Sequence, residues 1–308
     1  MIVQRRIRNY QAPLHKYMID GGMENKRAIS IAHRRWGKDE IALAVTFQAL
    51  IERPATYWTC LPEFAQARKA IWSAVNPHTG KRRIDEAFPE ELREVTNEGE
   101  MFIRFKNGAT WQVIGSDRYN SLVGASVAGI TFSEWALANP SAWGYISPML
   151  RENNGWAMFV TTPRGKNHAF EMYNYGMKTE GWFAEISNVV DTGAFAEAQL
   201  NEIRAEYVAL YGGDFGAAQF EQEYMCSFEA AILGSFYGTE LSVARSEGRI
   251  CEVEYDPDLP VMTVWDIGYS DDTVILFVQI IANEVRIIDT YSANGHNLEH
   301  YAEVISGK

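Results

Sequence analysis

Apolar and polar positions come in alternating blocks along the first two thirds of the chain, and the blocks read as strands and helices in turn. Arg27-Ala28-Ile29-Ser30-Ile31-Ala32 predicts a short strand, and just after it Ile41, Ala44, Val45, Leu50 and Ile51 recur at helical spacing. Residues 55–60 predict a second strand, closed by Leu61-Pro62. Residues 101–105 and 110–114 flank Asn107-Gly108, a strong hairpin signal. Residues 127–132 and 157–160 are apolar runs ending in polar residues, as strands buried on both faces do. Residues 195–211 predict a helix stopped by Gly212-Gly213. Strands alternating with helices predict an α/β fold whose parallel sheet is covered on both faces.

The pattern changes near residues 234–248, and a new strand starts at Val261 after Asp256-Pro257-Asp258. Strand patterns at 261–266, 273–281 and 285–289 predict three antiparallel strands opening a second domain. The expected organisation is therefore a first domain over 1–235, a linker over 236–260 and the start of a second domain over 261–308.

Composition narrows the classes. Of 308 residues, 47% are hydrophobic and 22% charged, which excludes disordered and collagen-like chains. No apolar run reaches the ~20 residues of a membrane helix, and the first residues lack the apolar core of a signal peptide. The expectation is a soluble intracellular protein. Cys60, Cys226 and Cys251 have neither disulfide-framework nor zinc spacing and are expected to be reduced core residues. The nine Trp, among them Trp58, Trp72 and Trp111, are expected in the core, and the six His show no metal spacing.

The net charge of −12 argues against a generally basic nucleic-acid binder. It hides an asymmetry: residues 1–40 hold nine Lys/Arg against four acids, so a +5 segment sits on a −17 remainder. Such a segment suits a local polyanion site, phosphate being one candidate. Its most telling stretch is Ala32-His33-Arg34-Arg35-Trp36-Gly37-Lys38-Asp39, between a strand and a helix. Backbone N–H groups at a helix start can face a phosphate while a Lys ammonium reaches its outer oxygens. Against G-x-x-x-x-G-K-[ST], Ala32 replaces the first Gly and Asp39 the hydroxyl residue that holds Mg²⁺.

A second strand should then end in a Mg²⁺-linked acid followed by a Glu that polarises the attacking water. The strand ending Phe132-Ser133-Glu134 supplies the Glu, with Ser133 where the acid belongs. The two departures compensate, since the loop offers a carboxylate and the strand a hydroxyl. Asp39 and Ser133 are thus the expected metal residues, exchanged in place, because Mg²⁺ accepts either oxygen. A third strand ends in Val160-Thr161-Thr162-Pro163, where ligands of open α/β sheets gather.

These residues resemble the large terminase subunit of tailed double-stranded DNA phages, an ATP-driven DNA-packaging motor and nuclease. The resemblance rests on Tyr10-Gln11, Arg34-Arg35-Trp36-Gly37-Lys38, Pro62 followed by Gln66-Ala67, the strand ending in Glu134, Thr161-Thr162-Pro163, and Phe220-Glu221-Gln222-Glu223-Tyr224 before Phe228. It implies a P-loop NTPase sheet flanked by helices and the start of an RNase H-like nuclease domain. Gln11 would contact adenine beside Tyr10. Lys38 and Arg34 or Arg35 would bind phosphates within a loop that includes Trp36, Gly37 and Asp39. Glu134 would activate water, Thr161 and Thr162 would couple hydrolysis to DNA movement, and Arg118 is the candidate arginine finger.

In the second domain the resemblance implies two-metal cleavage with Mg²⁺ or Mn²⁺, and Asp266 in Trp265-Asp266-Ile267-Gly268 matches the first acid. Asp271 and Asp272 read as turn residues and Asp289 as the end of a strand. Two-metal chemistry needs several converging carboxylates, so the expectation is that the remaining ligands lie beyond Lys308 and that this chain does not cleave DNA. The implied partners are double-stranded DNA, a portal and procapsid, a small terminase subunit and other copies in a ring, all in the host cytoplasm, with no membrane. The alternatives are a helicase-type DNA-dependent ATPase and a non-hydrolysing nucleotide-binding assembly module.

Overall fold

The computed structural model describes residues 7–122, 124–229, 237–268 and 272–307. They fall into two compact units, Met1–Ser235 and Phe236–Lys308.

The first unit is built on eight strands: β1 (Arg27–Ala32), β2 (Thr56–Leu61), β3 (Arg93–Asn97), β4 (Phe102–Phe105), β5 (Thr110–Gly115), β6 (Gly129–Ser133), β7 (Trp156–Thr161) and β8 (Trp182–Ser187). Their order is β3-β4-β5-β2-β6-β7-β1-β8. From β5 to β8 every pairing is parallel, while β4 pairs antiparallel with both β3 and β5. All six residues of β1 are buried. Alternate side chains therefore need an apolar layer on each face. Ala28 and Ala32 pack with α1 (Ala12–Ile19) and α2 (Lys38–Glu52), and Ile29 and Ile31 with the helices Ser141–Glu152 and His168–Lys178. Ser30 satisfies its buried hydroxyl by donating to Glu185 Oε1 on β8 at 2.7 Å.

The expected hairpin around Asn107-Gly108 forms, with Gly108 in the left-handed region at φ 90°. The helix Ser141–Glu152 escapes a sequence reading because Pro148 lies inside it; burial of Ala142, Ile146, Met149 and Leu150 overrides the local penalty. The helix expected over 195–211 is Glu197–Tyr211, but only Gly212 breaks the chain, and Gly213 already opens the helix Gly213–Glu223. Trp72 and Trp111 stack at 6.0 Å, fully buried with Phe88, and Trp58 is also buried. Cys60 and Cys226 are buried as expected. Cys251 is exposed, which corrects its placement in the core: it sits in a stretch too rich in acids and turns to bury it.

In the second unit the stretch expected as a linker carries a helix, Gly238–Ser246. Strands β9 (Met262–Asp266), β10 (Thr273–Ile281) and β11 (Glu284–Ala293) form an antiparallel sheet ordered β11-β10-β9. The helix Leu298–Ser306 sends Tyr301 onto Ile275 and Phe277. No helix among the described residues is long and apolar enough to cross a membrane.

Candidate functional site

Strands β1, β6 and β7 are adjacent and parallel, so their carboxyl ends open on one edge. That edge is where an open α/β sheet binds ligands. Residues 33–37 leave β1 and turn sharply into α2. Gly37, the N-cap of α2, has φ 91°, and a Cβ there would stand 2.8 Å from Gln11 Nε2. A side chain at this position would be both strained and obstructed.

The loop has no other glycine, and its shape comes from side chains anchored elsewhere. His33, fully buried, places Nε2 2.9 Å from Thr192 Oγ1 and Nδ1 2.6 Å from the Arg34 carbonyl. Trp36 Nε1 donates to Ser187 Oγ at 2.8 Å. Arg34 pairs with Glu223 Oε2 at 3.0 Å, and Arg164 with the other oxygen of the same carboxylate at 2.5 Å. From the amino-terminal side the Gln11 amide donates to the Trp36 and Gly37 carbonyls at 3.0 and 3.3 Å.

Lys38 opens α2, buried to 8% exposure. Its ammonium donates to Thr162 Oγ1 at 2.8 Å and lies 3.9 Å from Glu134 Oε1. Glu134 follows β6 directly with φ 54°, a left-handed conformation that a non-glycine residue seldom adopts. The Ser133 hydroxyl donates to Asp39 Oδ1 at 2.7 Å. The two residues that look like exchanged metal ligands thus meet across 94 positions of sequence. Thr162 donates to the Ala32 carbonyl at 3.1 Å, and Thr161 is bonded between the Ala136 N–H and the Thr162 carbonyl.

Gln11, Arg34, Arg35, Gly37, Lys38, Asp39, Glu134, Thr162 and Arg164 line one cleft of about 730 Å³, joined by Arg83. Lysine and arginine outnumber acids there, so the cleft suits a polyanion. The chemistry of the Asp39–Ser133 pair, two hard oxygen donors side by side, fits Mg²⁺, which takes most of its shell from phosphates and water. Among the described residues no group of three His, Cys, Asp or Glu side chains forms a metal cluster of its own.

Several expected site residues lie elsewhere. Trp36 is fully buried and turned towards Ser187, so it anchors the loop and does not line the cleft. Tyr10 packs on it at 5.6 Å. Arg118 lies outside the cleft, its side chain 66% exposed, 3.8 Å from Asp117 and over the Phe64 ring. Replacing Arg118 by Ala is therefore expected to change stability by no more than about 0.5 kcal/mol, as for other surface substitutions, measured by denaturant unfolding. In the second unit Asp266 faces Val274 and Asp289 faces Phe277 across opposite edges of β10. That offset of three positions is about 10 Å along the strand, so the two acids do not converge. Asp272 accepts from Ser292 at 2.7 Å, and Asp271 lies outside the described residues.

Sequence reasoning missed Arg83, which reaches Asp39 Oδ2 at 3.1 Å, and the double pairing at Glu223. A glutamate inside Phe220-Glu221-Gln222-Glu223-Tyr224, next to aromatics that must be buried, signals a distant cation; nothing local marks Arg83.

No family model matches the chain. Curated proteins do match: the large terminase subunit of Escherichia phage T5 is 25% identical over 251 residues, 80% of this chain and 54% of that protein. The large terminase subunit of Thermus phage G20c is 26% identical over 282 residues, 82% of this chain and 57% of that protein. These curated homologues are phage large terminase subunits. It spans about half the length of these terminases. Solved terminase structures share its fold. The ATPase domain of the Thermus phage P74-26 large terminase superposes with a TM-score of 0.54 at 20% identity, covering 72% of this chain and all of that one. The large terminase of a second thermophilic bacteriophage, in complex with ADP, gives 0.53 at 13% identity, covering 98% of this chain and 73% of that one. The first unit thus shares its fold with terminase ATPase domains, and the cleft lies where β1 runs into α2.

Burial holds the His33 imidazole below its ordinary pKa, against its hydrogen bond to the Arg34 carbonyl and with the Lys38 and Arg8 cations acting in the same direction as burial. The unfolded chain then binds more protons than the folded one just below pH 6.5, so stability falls as pH drops through that region. His15, also lowered by burial, acts in the same direction. Melting curves from pH 7.5 to 5 are expected to show a decline that is shallower in His33→Gln.

Proposed function

We propose that the chain is the ATP-hydrolysing part of a DNA-packaging motor subunit. The observation that carries this is the juxtaposition of Lys38, Glu134 and the Asp39–Ser133 pair at the carboxyl edge of three parallel strands. The β1–α2 loop would hold the phosphates by its N–H groups, with Lys38 on the outer oxygens. Glu134 would orient the attacking water and accept its proton as the γ-phosphoryl group leaves in line. Asp39 and Ser133 would hold Mg²⁺, whose charge offsets that of the phosphates. Thr162 touches both Lys38 and the end of β1 and would register loss of the γ-phosphate.

Likeness to terminase sequences supports double-stranded DNA as the substrate moved, a portal-bearing procapsid and small terminase subunit as partners, and a ring of copies in the host cytoplasm. By the same likeness the second unit would belong to a nuclease domain, with Asp266 as one of its metal-binding acids. The test is steady-state ATP hydrolysis with Mg²⁺, with and without double-stranded DNA, followed by packaging with procapsids. Turnover stimulated by DNA supports the motor. ATP binding without turnover in either condition would overturn hydrolysis and favour an assembly module.

A further inference from the structure

The first turn of α2 carries two acids, Asp39 and Glu40. By themselves they suit their place, since a helix N-terminus favours negative charge. A triphosphate would occupy the same place, and each carboxylate would then repel it. The hydroxyl residue that usually follows the loop lysine creates no such conflict; the exchange of Asp39 for it does.

Arg83 answers that conflict. It opens the short helix Arg83–Ala87, and its backbone N–H is held by the Ala74 carbonyl at 2.8 Å. Its guanidinium reaches Asp39 Oδ2 at 3.1 Å and Glu40 Oε1 at 3.5 Å, so one cation spans both acids. It lines the same cleft as Lys38 and Glu134. Asp39 is then divided between two donors, Ser133 on Oδ1 and Arg83 on Oδ2. Each contact on its own joins partly exposed groups and would count for little. Set where a polyanion must approach, the same charge decides whether the site repels or accepts it.

We propose that Arg83 is the built-in counter-cation of the nucleotide site, balancing Asp39 and Glu40 until a metal-bound nucleotide takes over Asp39. This rests on the ATP reading above and goes further, since it makes Arg83 the residue that sets how strongly nucleotide affinity depends on the divalent ion. Arg83 acts through Asp39 and is a positioning residue. Guanidinium and metal use the same carboxylate, so removing Arg83 harms metal-free nucleotide binding most.

The experiment is titration calorimetry of the full chain with ATP, once in EDTA and once in excess MgCl₂. The variants are Arg83→Gln, Arg83→Lys and Arg83→Gln with Asp39→Asn, each checked for an unchanged melting curve. Wild type is expected to bind ATP in both conditions. Arg83→Gln is expected to lose about tenfold in EDTA, the scale of one charge near a protein surface, and a much smaller factor in MgCl₂. Arg83→Lys should keep most of the metal-free affinity, and Asp39→Asn should restore it in the Arg83→Gln background. Equal losses in EDTA and MgCl₂, or no rescue by Asp39→Asn, would mean that Arg83 only braces the fold. Wild type binding ATP only with Mg²⁺ would overturn this inference and leave the ATP reading standing. No binding in either condition would overturn both.

Discussion

Glu134→Gln is expected to lower ATP turnover by about 10²–10⁴-fold, the usual contribution of a positioned general base, while ATP affinity stays close to wild type. The amide keeps the size of the carboxylate and loses its basicity and charge. Retained affinity follows from geometry. Glu134 meets the loop only through Lys38 at 3.9 Å, whereas Lys38 is also held by Thr162 at 2.8 Å, so its ammonium remains in place. The left-handed backbone at φ 54° points the same way, because Gln accepts it about as well as Glu does. Single-turnover hydrolysis beside equilibrium binding separates the outcomes. Equal loss of binding and turnover would make Glu134 a structural partner of Lys38 and would return the search for the base to the other acids of the cleft.

Exchanging Asp39 and Ser133 tests the proposed metal site. Asp39→Ser and Ser133→Asp are each expected to cut Mg²⁺-dependent turnover by about 100-fold, at the upper end of what disturbing a metal's surroundings costs. The first removes the carboxylate; the second sets two carboxylates at a spacing now bridged by a 2.7 Å hydrogen bond. The double variant restores one acid and one hydroxyl and is expected to recover most of the activity, a coupling large enough to stand clear of additivity. Turnover measured across a Mg²⁺ series is the readout. Harmless single changes would mean that neither residue meets the metal.

What could be read from the chain and what could not divides along sequence distance. Strand β1, its loop and α2 are contiguous, and the switch from a short, continuously buried run to helical spacing announces them within residues 27–52. Glu134 and Thr162 were legible because polar residues closing a buried apolar run mark the carboxyl end of a parallel strand. Their meeting with Lys38 then follows from strand adjacency. Arg83 and Trp36 were not legible, since their roles depend on which distant surface packs against them. Trp36, grouped by resemblance with the residues of the phosphate loop, is turned by the fold onto Ser187. Strand β8 escaped for a similar reason: an edge strand whose residues are mostly half-buried carries little of the apolar run that marks its neighbours.

The anchors of the phosphate loop also bear on how this protein comes to be able to bind anything. A glycine-rich loop takes its shape locally, from residues that adopt tight turns unaided. Here His33, Trp36 and Arg34 are held by Thr192, Ser187 and Glu223, at sequence separations of 159, 151 and 189 residues. Contacts of that range form only after the intervening chain has been closed into a loop, which is the slow part of assembling a parallel sheet. A nascent chain that has only just released residues 27–52 has the motif and not yet the site. On the ATP reading proposed above, competence for nucleotide arrives when the segment following β8 docks, so ATP would stabilise the sheet only once it is complete.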